Sequence, residues 1–281
     1  MTAPFTEPLR PAGGFMFDLD GTLILSDRNL GGYTLLPGAV DLLNELAARG
    51  IPFLALTNGS AYPAREQGPR LRALGLPIPD DRLFTPNSVA GMVMRDRGLD
   101  RVLVLGTEGV AAALGDEGVT IVRPGEPDAA RADAVYVAWY PECGMPDIHV
   151  ACEAVLGGAA LFSASDVPFF ASKGGRAFGY SCAIGGAIAR VTGREPEVTG
   201  KPSIHAMNFV AAKLGVPGEA VVVIGDDPRV ETEMARLGDA MGIGVTTGTT
   251  PAAEWAAQPP GRRPHRVIDS LAQLRDLGLL D

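Results

Sequence analysis

Asp18 and Asp20 stand two residues apart at the end of the apolar run Phe15-Met16-Phe17, and Gly21-Thr22 follow directly. Other polar groups fall at or near the ends of later apolar runs: Thr57-Asn58-Gly59, Lys201 within Gly200-Lys201-Pro202, and Asp226-Asp227 with Glu231. Carboxylates, a hydroxyl and an ammonium are what transfer of a phosphoryl group to a protein nucleophile requires. One carboxylate attacks phosphorus, while a second carboxyl protonates the leaving oxygen and then activates water. The ammonium neutralises charge on the phosphoryl oxygens, and the hydroxyl donates a hydrogen bond to one of them. Magnesium takes oxygen ligands and keeps some waters, so a few carboxylates plus the phosphate can hold it. In isolation Asp18-Leu19-Asp20-Gly21-Thr22 reads as a calcium-like loop or an ordinary turn as readily as a catalytic motif. The strand before it and the matching groups downstream favour chemistry.

These groups can cooperate only if the ends of their strands converge, as they do at the carboxyl edge of an open parallel sheet. The apolar runs meet that condition. Gly14 to Phe17 reads as a short buried strand, and the pattern from Pro37 to Ala48 as a helix with Val40, Leu43, Leu46 and Ala47 on one face. Pro52 to Leu56 is the next strand and Ala64 to Leu74 the next helix, closed by Gly75. Such β-α-β-α alternation predicts a parallel sheet with helices on both faces. The pattern restarts near Arg101 with strands at Val102–Leu105, Asp133–Val137 and Ala159–Ser163, and helices at Val110–Leu114 and Ile148–Leu156. Strands resume at Val221–Ile224 and Met241–Val245, the stretch His265–Ile268 follows, and Ser270 to Leu277 reads as a closing helix.

Asp18-Leu19-Asp20-Gly21-Thr22 resembles the first signature of the haloacid dehalogenase-like superfamily in its phosphatase form. Thr57-Asn58, Lys201 and Gly225-Asp226 resemble the second, third and fourth signatures, in the same order. The insert between the second and third resembles the α/β cap of the NagD and p-nitrophenyl phosphatase branch. Pro37-Gly38-Ala39, Ser165-Asp166-Val167-Pro168-Phe169 and Gly193-Arg194-Glu195-Pro196 support the likeness, which runs from about Gly14 to Leu277. The resemblance implies an α/β fold: a doubly wound, Rossmann-like core of residues 1–99 and 179–281, with a smaller α/β cap at 100–178. It implies that Asp18 is the nucleophile that becomes an aspartyl-phosphate, and Asp20 the general acid/base. Thr57, Asn58 and Gly59 would bind the phosphate, with Lys201 steadying both phosphate and Asp18. The cofactor implied is Mg2+, held by Asp18, by Asp20 through its backbone carbonyl, and by Asp226. This branch usually has a second aspartate five residues after the first. Here Glu231 takes that place and Asp227 adjoins Asp226, so either could complete the metal site. The cap is expected to set specificity, and Trp139-Tyr140-Pro141-Glu142-Cys143 is more aromatic than the branch leads one to expect.

The chain has 281 residues, 46% hydrophobic and 20% charged, a profile of globular protein rather than disorder. A net charge of −9 disfavours nucleic acid as a partner but leaves small phosphate esters open, since local cations can reverse the field in a pocket. No apolar run approaches membrane-spanning length, and MTAPFTEPLRPAGG has no apolar leader core. Cys143, Cys152 and Cys182 form no C-x-x-C pair and read as small buried hydrophobes in a reducing cytoplasm. His149, His205 and His265 lack ligand spacing and read as structural or surface residues. Trp139 and Tyr140 read as cap core ahead of a substrate-stacking role. The expected activity is hydrolysis of a small phosphorylated metabolite, with no nucleic-acid or membrane partner and a homodimer left open. A phosphotransferase, a haloacid dehalogenase and a non-catalytic phospho-ligand binder are the alternatives. Asp20 argues against the dehalogenase, which attacks carbon and has no use for an acid there.

Overall fold

In the computed structural model, which describes residues 7–26, 33–172 and 175–280, the first apolar run forms β1 (Gly14–Phe17). All of its residues are buried, as in a parallel sheet covered on both faces. The antiparallel pair β2 (Ile24–Ser26) and β3 (Tyr33–Leu35) follows, then α1 (Ala39–Ala48), β4 (Phe53–Leu56), α2 (Ala64–Ala73), β5 (Leu83–Phe84) and α3 (Pro86–Asp96). Next come β6 (Arg101–Leu105), α4 (Glu108–Gly115), β7 (Thr120–Val122), β8 (Ala134–Val137), α5 (Met145–Leu156) and β9 (Ala160–Ser163). An antiparallel hairpin of β10 (Phe169–Ser172) and β11 (Gly175–Phe178) leads to α6 (Tyr180–Thr192) and β12 (Glu197–Val198). The chain closes with α7 (Ile204–Leu214), β13 (Val221–Gly225), α8 (Glu233–Leu237), β14 (Met241–Val245), α9 (Ala252–Ala256) and β15 (Arg266–Ile268).

These elements form two units, one from residues 1–57, 67–84 and 201–281, the other from 58–66 and 85–200. The first unit holds a six-stranded sheet in the order β15-β14-β13-β1-β4-β5, parallel throughout. Counted along the chain, that is the doubly wound 3-2-1-4-5-6 order, which reverses direction between β1 and β13. Those two strands pair from Gly14↔Val221 to Phe17↔Ile224, so residues 18 and 226 leave the sheet at the reversal point.

The second unit holds a five-stranded parallel sheet in the order β12-β9-β8-β6-β7. It extends beyond 100–178 because flanking helices pack into it. Ile184 and Ile188 of α6 enter the same core as Ala151 and Val155 of α5. Gly91 of α3 lies against the Glu117 side chain, which also pairs with Arg95. A buried polar knot ties this unit internally: the Tyr136 hydroxyl donates to Asn87 Oδ1 at 2.9 Å, and Asn87 Nδ2 donates to the Ser60 carbonyl at 3.0 Å.

Caps place the helices where apolar faces begin and end. The Ser203 hydroxyl accepts from the Ala206 amide at 3.0 Å to open α7, and Gly215 in the left-handed region closes it. The expected closing helix is a 3-10 helix, Leu271–Leu277. Leu271, Leu274 and Leu277 recur every three residues, the period that geometry presents to one side. No helix among the described residues is long and apolar enough to cross a membrane.

His265 joins β14 to the N-terminal segment. Its Nδ1 accepts from the Gly242 amide at 3.1 Å, and its Nε2 lies 3.3 Å from Glu7. Burial, with Arg236, Arg10 and Arg266 nearby, holds its pKa below the usual value of 6.5 despite Glu7. The unfolded chain therefore binds this proton more readily, and the His265 contribution to stability is lost as pH falls below about 6.5. Urea unfolding of His265→Asn at several pH values should show a smaller loss of stability between pH 7 and 5.5 than the wild type. An equal loss in both proteins would contradict this.

Candidate active site

Asp18 is the first residue beyond β1 and is only 7% exposed. Its amide donates to the Ile224 carbonyl at 2.8 Å, which extends the β1–β13 ladder by one bond. A tight turn follows, in which the Leu23 and Ile24 amides both donate to the Leu19 carbonyl, and the Gly21 amide donates to the Ile24 carbonyl at 2.7 Å. Gly21 sits at φ 86°, where a side chain would strain the backbone. The turn leaves Asp20 exposed while Thr22 is buried. Asp-x-Asp-Gly-Thr thus presents one sheltered and one accessible carboxylate two residues apart.

Lys201 is the most enclosed charge among the described residues, 1% exposed. Its ammonium donates to Asp18 Oδ1 and, at 2.8 Å, to Glu231 Oε1. Burial alone would depress its pKa, but the charges of Asp18 and Glu231 outweigh that and hold the ammonium protonated. Glu231 lies on one wide π-helical turn, Pro228–Thr232, an irregularity frequent at functional sites. Its Oε2 accepts from the Asp227 amide at 3.2 Å, and its methylenes lie so close over Gly225 that a Cβ there would collide with them. Burial raises the Glu231 pKa and the neighbouring Lys201 opposes the shift. Asp227 faces elsewhere: its carboxylate takes the Arg229 amide at 2.8 Å and the Arg229 guanidinium at 3.1 and 2.9 Å. Of the two acidic residues following Asp226, Glu231 is the one that reaches Lys201.

Asp226 leaves β13 beside Asp18 and is 6% exposed. Its Oδ2 accepts from the Thr249 amide at 2.6 Å and the Thr249 hydroxyl at 2.9 Å. Burial, and then the charge of Asp18, push its pKa up to about 6, against the pull of the Thr249 bonds. Three carboxyl groups (Asp18, Asp226 and Glu231) are therefore buried here with one buried ammonium, which pairs with Asp18 and Glu231. That excess of negative oxygen donors suits a hard divalent cation. Among the described residues no three His, Cys, Asp or Glu side chains form a ready-made metal cluster. A cation here would thus draw on one or two carboxylates plus non-protein oxygens, as magnesium commonly does.

Thr57 is the first residue beyond β4, buried, with its amide donating to the Phe84 carbonyl at 3.2 Å. The β1–β4 pairing puts it at the same sheet edge as Asp18. Asn58, half-buried, and Gly59, exposed, begin the 58–66 excursion that belongs to the second unit. In that unit Trp139 is half-buried, its ring packing edge-on against Tyr180 at 4.9 Å. Burial pushes the Cys143 thiol up to about 11 and raises Cys152 and Cys182, the reverse of a reactive thiolate. Thr247, Gly248 and Thr249 did not stand out as site residues. The run Thr246-Thr247-Gly248-Thr249-Thr250, after the apolar strand at 241–245, is the signal that could have found them.

A family model described as haloacid dehalogenase-like hydrolase matches residues 15–120, and a second, HAD-hydrolase-like, matches 198–274. Dihydroxyacetone phosphatase of Corynebacterium glutamicum is 27% identical over 266 residues, covering 93% of this chain and 90% of that one. The p-nitrophenyl phosphatase of Archaeoglobus fulgidus shares the fold with a TM-score of 0.83 at 24% identity, over 95% of this chain and 99% of that one. A glycerol phosphate phosphatase of Mycobacterium tuberculosis, solved in complex with magnesium, has a TM-score of 0.78 at 27% identity, over 95% of this chain and 76% of that one. The chain belongs to the haloacid dehalogenase-like hydrolases. Within them it stands in the phosphatase branch of NagD and the p-nitrophenyl phosphatases, hydrolases of phosphoric monoesters.

Lys201→Met would leave Asp18 and Glu231 buried without their counter-charge, at a cost of about 3–5 kcal/mol. Urea unfolding at pH 7 measures that loss, and adding Glu231→Gln should recover part of it. A Lys201→Met protein as stable as the wild type would show that the ammonium does not hold these carboxylates together.

Proposed function

We propose that this protein hydrolyses a small phosphorylated metabolite in two steps through an aspartyl-phosphate on Asp18. The observation that carries the reading is the Lys201 ammonium bonded to Asp18 at the point where the sheet reverses direction. In the first step the free oxygen of Asp18 attacks phosphorus and the bond to the ester oxygen breaks, with Asp20 protonating that oxygen as it leaves. In the second step Asp20 takes a proton from water, which attacks phosphorus. The bond to Asp18 breaks, and inorganic phosphate and the free carboxylate result. The exposure of Asp20 suits a group that must meet both leaving group and water. Lys201 offsets negative charge on the phosphoryl group in both steps, and the Thr57 hydroxyl, with Asn58 and Gly59, binds its oxygens.

The cofactor we propose is Mg2+, held by Asp18, the Asp20 backbone carbonyl and Asp226. When bound, it would neutralise charge on the transferring phosphoryl oxygens. The buried excess of carboxylates supports this reading, as does the relative solved with magnesium. Glu231 is assigned to Lys201 rather than to the metal, on its 2.8 Å bond. Dihydroxyacetone phosphate and glycerol phosphate head the list of substrates to try, since relatives are named for them. The three free cysteines fit a reducing, cytoplasmic compartment.

The test is phosphate release with Mg2+ on a panel of three-carbon phosphates, sugar phosphates, nucleotides and pyridoxal phosphate. Asp18→Asn should abolish turnover, and Asp20→Asn should lower kcat by roughly 10²–10⁴-fold, the usual contribution of a positioned acid/base. Wild-type turnover by Asp18→Asn would end the covalent mechanism. Chloride release from a haloacid, without phosphate release, would favour the dehalogenase alternative.

A further inference from the structure

The loop after β14 makes two separate attachments to the site. The Thr247 hydroxyl donates to the Gly21 carbonyl at 2.6 Å, inside the turn that carries Asp20. Two residues on, the Thr249 amide and hydroxyl both donate to Asp226 Oδ2, at 2.6 and 2.9 Å. Glycines flank that oxygen. A Cβ on Gly21 would stand 2.5 Å from Asp226 Oδ2, and one on Gly248 would collide with it as well. Asp226 Oδ2 is therefore fixed by two donors and enclosed by two residues without side chains. The other oxygen, Oδ1, takes none of these bonds.

From this arrangement we infer that Thr249 is a positioning residue for the cation site: it commits one oxygen of Asp226 to the protein and leaves a single oxygen to a metal. The inference rests on the proposed divalent-cation site and adds to it the means by which the site favours Mg2+ over Ca2+. Magnesium accepts a carboxylate through one oxygen in near-octahedral geometry, whereas calcium readily takes both oxygens of one carboxylate at longer distances. An Asp226 whose second oxygen is tied to Thr249 cannot turn to offer both without breaking two hydrogen bonds. Partners that orient a ligand in this way typically carry about 10–100-fold of metal affinity. Thr247 anchors the same loop to the Asp20 turn, so the loop ties together the two segments whose residues would hold the cation.

Thr249 is itself exposed, so replacing it leaves the core intact. Calorimetric titration of substrate-free protein with Mg2+ and with Ca2+ reads the effect without turnover. The variants are Thr249→Val, which removes the hydroxyl and keeps the shape, and Thr249→Ser, which restores the hydroxyl. Thermal unfolding of each without metal confirms an unchanged fold. The expected result is Mg2+ affinity about tenfold weaker in Thr249→Val, a smaller loss for Ca2+, and Thr249→Ser within about twofold of wild type. Equal Mg2+ affinity in wild type and Thr249→Val, or a Thr249→Ser as weak as Thr249→Val, would overturn the inference while leaving the cation site standing. A wild-type protein that takes up neither ion would overturn the cation site, and the inference with it.

Discussion

A buried ammonium between two buried carboxylates is the constraint on which the rest of this site depends. Lys201 enters from a segment far along the chain and meets Asp18 from β1 and Glu231 from beyond β13. None of the three could be kept charged in the interior alone, because removing a lone charge from water costs several kcal/mol. Together they form a unit whose geometry is set by strands that are themselves wholly apolar. Glu231 needs its extra methylene to cross Gly225, and Gly225 needs to lack a side chain to let it pass. The longer acid in this chain is therefore matched to its surroundings.

The position of that unit follows from topology. A doubly wound sheet opens a crevice where strand order reverses, here between β1 and β13. Asp18 and Asp226 are the first residues beyond those two strands. Burial, and then the charge of Asp18 beside it, raise the Asp226 pKa, and the pair concentrates negative charge at one point of the sheet edge. The same concentration would be a defect in a structural core. It is useful where a cation and a phosphoryl group are to meet, since each neutralises part of what the other brings.

Much of this was legible in the sequence, and the limits have physical causes. Runs such as Phe15-Met16-Phe17 and Val221-Val222-Val223-Ile224 announce buried strands because a strand covered on both faces has no polar side to show. Their order in the sheet is not written locally, since parallel partners lie far apart in the chain. Helix α6 was hidden by Gly185 and Gly186, which interrupt its apolar stripe, and with it the reach of the second unit past residue 178. Asp227 and Glu231 could not be told apart by spacing. Only the side-chain directions separate them, one toward Arg229 and the other toward Lys201. Thr249 was passed over because a Thr-rich run after a strand reads first as an ordinary turn.

The central claim is that Asp18 carries the phosphoryl group covalently, and it can be addressed on the unmodified protein. Turnover of a radiolabelled phosphate ester would be stopped in acid, which preserves acyl phosphates, and the protein reduced with borohydride and mapped by mass spectrometry. The account predicts phosphate label on the protein before reduction and homoserine at position 18 after it. Rapid phosphate release with no label on the protein and an unaltered Asp18 would contradict it.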